Sequence, residues 1–306
     1  MISETDIRQN SLKAWILAAR PKTLTAAAVP VMIAVSLAYT QMRLGVATHI
    51  NVVAAVLCFL FAFVMQIDAN FVNDYFDCVR GNDDETRLGP KRACAQGWIS
   101  LPAMRSALVV TTVIASLVGL PLAYFGGSEM ILVGISCVVF CFLYTTTLSY
   151  IALGDLLVLL FFGIVPVCCT YYVVTSQWDL YLTLPFAIAC GLVVDTLLIV
   201  NNYRDIDNDR RAGKRTLIVF IGRRAAEYLY LAIVPLAVII NMQSILAHFH
   251  NPVIIPLFGV VLAAHLNAYS RMKRIGQGRE LNSVLGLTAS NIFIYGVILS
   301  LIVILV

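Results

Sequence analysis

Charged side chains are scarce in this sequence. Of its 306 residues, 12% are charged and 60% are hydrophobic, whereas soluble domains average roughly 25% charged residues. Only four residues are histidines. Apolar stretches of about eighteen residues or more recur along the chain, and each is long enough to cross a bilayer core of about 30 Å. This composition excludes an ordinary soluble domain and predicts an all-α protein that spans a membrane several times.

The apolar stretches predict about nine transmembrane helices around a central cavity. We expect them at 23–41, 51–76, 103–125, 129–149, 153–174, 181–203, 226–246, 252–270 and 284–305. Several stretches begin or break at Pro, Gly or charged residues, where helices usually end. We expect residues 1–306 to form a single transmembrane domain.

The basic residues predict how these helices are oriented. With nine spans, all but one of the 21 Lys and Arg residues fall on one side of the membrane, in the N-terminal segment or the connections after spans two, six and eight. Arg43 alone falls on the other side. Cytoplasmic connections carry an excess of Lys and Arg, so we predict a cytoplasmic N-terminus.

Two polar segments stand at predicted cytoplasmic helix ends. Residues 66–84 read Q-I-D-A-N-F-V-N-D-Y-F-D-C-V-R-G-N-D-D, and residues 201–217 read N-N-Y-R-D-I-D-N-D-R-R-A-G-K-R-T-L. Each segment contains an asparagine four residues before an aspartate; the pairs are Asn73–Asp77 and Asn201–Asp205. The recurrence predicts two pseudo-repeated four-helix halves, an arrangement known among membrane proteins.

The spacing within these segments predicts polar faces on two helices. Positions i, i+3, i+4 and i+7 of a helix share a face, so one face holds Asn70, Asn73, Asp74 and Asp77, and the other holds Asn201, Asp205 and Asp209, the last continuing into the loop. Carboxylate and carbonyl oxygens suit Mg2+, which usually sits between a few carboxylates and substrate phosphates. Nearby cations can contact the remaining phosphate oxygens; these are Arg87, Lys91, Arg92, Arg204 and Lys214.

Interfacial anchoring is the plain alternative for polar residues at helix ends. Two such motifs argue against it, because polar groups facing a bilayer interior are costly and usually mark a functional cavity. Asp155 can cap the helix that it begins or point into the cavity. Asp68 and Asp195 lie deeper, and each can be a proton carrier or a structural partner of another polar group.

These motifs resemble the UbiA superfamily of intramembrane prenyltransferases over nearly the whole chain. The resemblance is greatest to the branch that acts on 1,4-dihydroxy-2-naphthoate in menaquinone synthesis. It rests on R-P-K-T-L at 20–24, N-D-Y-F-D at 73–77, R-L-G-P-K-R at 87–92, L-G-D at 153–155, F-F-G at 161–163 and the whole of 201–217. Asp68 and Asp195 depart from the residues expected in many relatives.

The resemblance implies transfer of a polyprenyl group from an allylic diphosphate to an aromatic ring, with loss of CO2 in the naphthoate branch. Mg2+ would be held by Asn73, Asp77, Asp205 and Asp209, and Asp77, Asp205 and Asp155 would be catalytic. Substrate would be bound by Asn70, Asp74, Arg87, Lys91, Arg92, Asn201, Asn202, Arg204, Lys214 and the aromatic Tyr144. The location implied is the bacterial cytoplasmic (inner) membrane, with both motifs on the cytoplasmic side.

Other functions fit parts of the pattern. A secondary transporter also combines pseudo-repeats with intramembrane acids, although its sites lie near the midplane, whereas these acids cluster at one edge. Within the superfamily, 4-hydroxybenzoate, haem or a chlorin can be the acceptor. A purely structural membrane protein would not need two such motifs. The expected partners are a polyprenyl diphosphate, the aromatic acceptor and the lipid bilayer, with no nucleic acid.

Overall fold

The computed structural model describes residues 7–81, 87–249 and 255–306. The regular structure of these ranges is helical, as predicted. Its helices are α1 (Leu12–Ala19), α2 (Leu24–Arg43), α3 (Val52–Val79), α4 (Leu101–Gly119), α5 (Leu122–Gly126), α6 (Glu129–Thr146), α7 (Gly154–Leu159), α8 (Val165–Thr175), α9 (Leu180–Arg211), α10 (Leu217–Ile221), α11 (Arg223–Phe249), α12 (Phe258–Ile275) and α13 (Leu281–Leu305).

The helix count agrees with a protein that crosses a membrane many times. Within the described ranges, eight helical segments are long and apolar enough to span a bilayer, counting α1 with α2, α4 with α5, and α7 with α8. The stretch predicted at 252–270 corresponds to α12, which is 18 residues long and ends in basic residues. It is not among the eight, and residues 250–254 before it lie outside the described ranges.

Helices α3 and α9 are the longest, with 28 and 32 residues. At 1.5 Å per residue they are about 42 and 48 Å long, so both extend beyond a hydrocarbon core of about 30 Å. Both acidic motifs therefore lie on helical turns at the ends of these helices. Asp209, expected to continue into a loop, is still within α9.

The starts of α3 and α9 reveal the same repeat as their ends. The Asn51 side chain caps α3 by accepting from the Ala54 amide at 3.0 Å, and Asp179 caps α9 by accepting from the Leu182 amide at 2.9 Å. Side-chain oxygens at this position satisfy amides that have no partner within the helix. Asn51 precedes Asn73 by the same number of residues as Asp179 precedes Asn201.

The packing of the helices follows these two halves. Helix α3 contacts α2 before it and α4 and α6 after it, while α9 contacts α8 before it and α11 after it. The equivalent helices α2 and α8 also touch, and α13 packs against α2, α9 and α12. This arrangement brings the ends of α3 and α9 that carry the motifs to the same side of the bundle.

A π turn, Leu160–Ile164, joins α7 to α8 and packs closely on α9. A Cβ added at Gly163 would lie 2.5 Å from the Ala187 carbonyl oxygen and 2.9 Å from the Gly191 backbone. Small residues at such crossings let two helix backbones approach closely within a membrane. The glycines thus fix the distance between the α7–α8 segment and α9.

Candidate functional site

The first motif lies on the last turns of α3 and contacts two neighbouring elements. Asn73 accepts a hydrogen bond from the Thr145 hydroxyl of α6 at 2.7 Å. Asp77 forms an ion pair of 3.1 Å with Arg92, which follows α3 in the loop, and the side chains are 19% and 8% exposed. Largely buried charged pairs of this kind are less screened than surface pairs. Asn73 and Asp77 are therefore held in defined positions.

Asp74 and Asn70, predicted as substrate-binding residues, have other partners. The Asp74 carboxylate is fully buried and accepts from the Ala93 and Cys94 amides, both at 2.9 Å. The Asn70 amide donates to the Ala19 carbonyl at 2.9 Å, at the junction of α1 and α2. Asp74 thus anchors the loop after α3, and Asn70 anchors the N-terminal segment.

The second motif, on α9, is organised by Arg204. This side chain is buried and donates to Asn201 at 2.9 Å and to both oxygens of Asp205 at 2.8 and 2.5 Å. It also donates to Asn282 at the start of α13, at 2.8 Å. One oxygen of Asp209 is buried without a hydrogen-bond partner. Arg204, predicted to contact substrate, therefore first fixes the two oxygen-bearing residues of its own motif.

The loop at 87–92 connects the two motifs. Arg92 at one end pairs with Asp77, while Gly89 lies against Arg204 so closely that a Cβ there would be 2.7 Å from the Arg204 Nη2 atom. Asn282 donates to the Leu88 carbonyl at 2.8 Å and thereby ties the loop to α13. Gly89 and Arg92 are three residues apart, a reach of at most about 10 Å. The two acidic motifs thus lie on opposite sides of one short basic loop.

Electrostatics link the motifs as well. Asp209 on α9 feels the negative charges of Asp205 and Asp77 and the positive charges of Lys214 and Arg204. Asp77 belongs to the first motif, so charges from both halves act at one place. Such a concentration of opposite charges suits a ligand that carries both a cation and anionic oxygens.

The remaining predicted cations, Arg87 and Lys91, lie in the same loop. Arg87 donates from Nε to the Pro90 carbonyl at 3.0 Å, and Arg279 donates to the Arg87 carbonyl at 3.3 Å. Lys91 is exposed beside Arg92. The acidic run at 82–84, quoted with the first motif, lies outside the described residues.

A small cavity collects four of the other predicted residues. Its wall includes Tyr144 of α6, Asp155 of α7, Asn202 of α9 and Lys214 after α9. The Lys214 ammonium lies 5.7 Å from the Tyr150 ring centroid, within the range of a cation–π contact. Helix α7 begins at this cavity. One carboxylate oxygen of Asp155, the second residue of α7, is buried there without a hydrogen-bond partner.

The donor set fits a magnesium ion that is shared with a phosphate. Among the described residues, no three His, Cys, Asp or Glu side chains cluster as a metal site made by protein alone. Mg2+ usually takes one or two carboxylates, waters and substrate phosphate oxygens. Asp77 and Asp205 supply one carboxylate from each motif, Asn73 supplies an amide oxygen, and the buried Asp209 oxygen is available for a cation.

Some contributors were not predicted from the sequence. Thr145 and Asn282 bind motif residues, yet each lies more than seventy residues from its partner in the chain. The sequence signal that could have identified them is their position as polar residues at the ends of apolar spans. Asp68, whose role was left open, accepts from the Thr111 and Thr112 hydroxyls of α4 and is therefore a satisfied structural group.

Comparisons with known proteins show which family the chain resembles. Residues 28–297 match the UbiA prenyltransferase family. A 1,4-dihydroxy-2-naphthoate octaprenyltransferase of Haemophilus influenzae is 37% identical over 220 residues, which cover 69% of this chain and 70% of the relative.

Two solved structures share the fold. A UbiA homolog from Aeropyrum pernix has a TM-score of 0.68 at 16% identity and covers 92% of this chain and 98% of its own. A UbiA homolog from Archaeoglobus fulgidus, bound to DMAPP and Mg2+, has a TM-score of 0.60 at 15% identity. The match covers 95% of this chain and 99% of the homolog.

Proposed function

The chain belongs to the UbiA prenyltransferase family, and we propose that it transfers a polyprenyl group from an allylic polyprenyl diphosphate to 1,4-dihydroxy-2-naphthoate. The products are demethylmenaquinol, CO2 and diphosphate. The observation that carries the proposal is the meeting of two Asn-x-x-x-Asp motifs at one basic loop. The choice of acceptor rests on the similarity to the Haemophilus influenzae enzyme.

The multi-pass architecture gives this reaction its setting. We infer that residues 1–306 form one prenyltransferase domain in the cytoplasmic (inner) membrane of a bacterium. The distribution of basic residues supports a cytoplasmic N-terminus with both motifs on the cytoplasmic side. The isoprenoid tail would lie among the helices or in lipid, where each buried CH2 contributes about 0.8 kcal/mol.

The diphosphate is proposed to bind between the ends of α3 and α9. A bound magnesium ion would be held by Asn73, Asp77, Asp205 and Asp209, and would supply positive charge that stabilises the departing diphosphate. The Archaeoglobus fulgidus homolog bound to Mg2+ and DMAPP supports this choice of ion. The two motifs are needed together because each offers too few oxygens to hold a metal alone.

We propose distinct roles for the basic residues around the loop. Arg92 and Lys214 face phosphate oxygens and neutralise the charge that develops as the allylic C–O bond breaks. Arg87 and Lys91, from the same loop, are proposed to contact the remaining phosphate oxygens. Arg204 is engaged by its neighbours and acts by holding Asn201 and Asp205 in place.

We propose that the acceptor ring binds at the cavity beside Asp155. The volume of this cavity is about 10 Å³, enough for one water molecule, so the side chains around it must move apart to admit the ring. The allylic cation must be kept from water, and the Tyr144 ring face can stabilise positive charge. Asn202 and Asp155 lie on the same cavity wall and can hydrogen-bond a ring hydroxyl. The acceptor would then sit between the diphosphate and the start of α7.

The proposal is tested with purified protein, Mg2+, a polyprenyl diphosphate and several aromatic acceptors. We expect a prenylated, decarboxylated naphthoate product, identified by its mass, together with released diphosphate. Asp205→Asn and Asp77→Asn should abolish transfer. The matched control is Asp207→Asn, a carboxylate on α9 whose side chain is 62% exposed and pairs with Arg223.

The outcomes separate the alternatives. A product from 4-hydroxybenzoate and none from naphthoate would overturn the choice of acceptor but keep the reaction. Full turnover by Asp205→Asn, or equal loss in Asp207→Asn, would overturn the assignment of the acidic motifs.

A further inference from the structure

Two buried carboxylates, Asp155 and Asp195, lie on facing helices. Helix α7 runs antiparallel to α9: a Cβ at Gly154 would lie 3.4 Å from the Leu198 side chain, and a Cβ at Gly191 would lie 2.7 Å from the Leu159 side chain. Asp155 lies between the two α7 positions, and Asp195 lies between the two α9 positions. The register therefore brings both carboxylates to the same interface, where they act on each other electrostatically.

Neither carboxylate is satisfied by the protein. Asp195 is 6% exposed, and both Asp155 and Asp195 have one buried oxygen without a hydrogen-bond partner. Asp68 is also buried in the bundle, but threonine hydroxyls bind both of its oxygens. An unsatisfied acid inside a membrane bundle is costly and marks a functional position.

We propose that Asp195 is a positioning residue that shares one proton with Asp155 and keeps Asp155 able to accept the proton of the acceptor's ring hydroxyl. The inference rests on the proposed function and adds to it the partner of the base. Two adjacent carboxylates cannot both be ionised in a poorly solvated site, so sharing a proton is their stable state. The shared proton leaves one oxygen of Asp155 free to accept another.

The position of the pair fits this role. Asn202 lies two helical turns after Asp195 on the same face of α9, about 10 Å towards the acidic motif. Asp155, at the start of α7, and Lys214, which follows the acidic motif of α9, line the same cavity as Asn202. The cavity therefore lies between the carboxylate pair and the diphosphate end, which is where a ring must be for both to act on it.

The proton transfer completes a balanced reaction. The ring carbon that bears the carboxylate bonds to the allylic carbon, the allylic C–O bond breaks, and its electron pair leaves with diphosphate. The hydroxyl proton passes to Asp155, which leaves a ring ketone beside the carboxylate. The C–CO2 bond then breaks, its electron pair returns to the ring, and Asp155 returns the proton to the ring oxygen.

Asp195→Asn tests the pair, with Asp68→Asn as the matched control. Asparagine keeps the size of the residue but cannot carry the proton, so Asp155 alone holds it in the poorly solvated site and is no longer free to accept the hydroxyl proton. We expect kcat with naphthoate to fall by about tenfold to hundredfold, within the range of general base effects. The KM for the polyprenyl diphosphate should not change, and Asp68→Asn should keep the wild-type kcat.

A second acceptor separates a chemical role from a packing role. Fluorine on the naphthoate ring makes the hydroxyl more acidic, so its proton leaves more easily. The ratio of wild-type to Asp195→Asn rates should therefore be smaller with the fluorinated acceptor. The same ratio with both acceptors would overturn the inference, because the rate loss caused by a packing defect does not depend on the acidity of the hydroxyl.

The remaining outcomes are also decisive. If wild-type protein prenylates naphthoate and Asp195→Asn matches Asp68→Asn, the inference fails while the proposed function stands. If wild-type protein forms no product from naphthoate, the proposed function fails. Should Asp195→Asn not fold, Asp155→Asn carries the test: we expect it to lose transfer yet still bind the polyprenyl diphosphate with Mg2+, and full transfer would overturn the inference.

Discussion

Asp74 gives the sharpest test of how the first motif works. The sequence predicts that it binds substrate, whereas its carboxylate accepts from the Ala93 and Cys94 amides, both at 2.9 Å. Asp74→Asn keeps the size of the side chain and replaces one acceptor oxygen by an NH2 group. One of the two amides then faces another donor and has no partner, and the loop that leads back to Arg92 loses part of its anchor.

The expected loss of stability follows from these two hydrogen bonds. A hydrogen bond to a charged group contributes about 1.5–3 kcal/mol, and a buried amide left without a partner costs about 1–3 kcal/mol. The surviving bond also weakens because its acceptor is now neutral. Removing a buried charge returns part of its desolvation cost, so we expect the free energy of unfolding to fall by about 2–4 kcal/mol.

The assay compares unfolding and catalysis in the same detergent. Asp74→Asn should unfold at lower denaturant than wild type, while its KM for the polyprenyl diphosphate at low temperature changes little. Asp207→Asn, an exposed carboxylate, should leave both quantities unchanged. A variant as stable as wild type but unable to bind the diphosphate would refute this reasoning. It would instead support the prediction that Asp74 binds substrate.

Two further predictions concern glycines at close contacts. Gly89→Ala should weaken binding of the diphosphate, because its methyl group would lie 2.7 Å from Arg204 Nη2 and displace a guanidinium held by Asn201 and Asp205; titration of the diphosphate would measure this, and unchanged binding would contradict it. Gly163→Ala should lower the free energy of unfolding by about 1–3 kcal/mol, the usual cost of overpacking, because its methyl group meets backbone on α9; an unfolding curve equal to wild type would contradict it.

The fold was largely predictable because membrane spans depend on local composition. Long apolar stretches and the placement of basic residues can be identified from the sequence without knowledge of the tertiary structure. The stretch at 252–270 was placed less well, since α12 has two basic residues in its last turn and combines a short apolar length with a polar end. The last turn of α9, which contains Asp209, was expected to be a loop, because polar helical turns lack the apolar signal that identifies a span.

The candidate site was predictable as a set of residues but not as a set of partners. Helical periodicity places Asn70, Asn73, Asp74 and Asp77 on one broad face. Adjacent positions differ by about 100° around a helix, so Asn73 reaches α6 while Asp74 reaches the loop. Which neighbour each side chain meets depends on residues such as Thr145, far away in the chain. Their catalytic and binding roles stay predictions until they are measured.

The π turn between α7 and α8 has a consequence for the history of this fold. Such a turn holds one residue more than an α-helical turn. Losing one residue from 160–164 would make the segment a regular helix and rotate α7 by about 100° relative to α8. Asp155 would then leave the interface with α9 although its codon is intact. A single-residue deletion far from both acidic motifs is thus enough for a lineage to discard the carboxylate pair without substituting either aspartate.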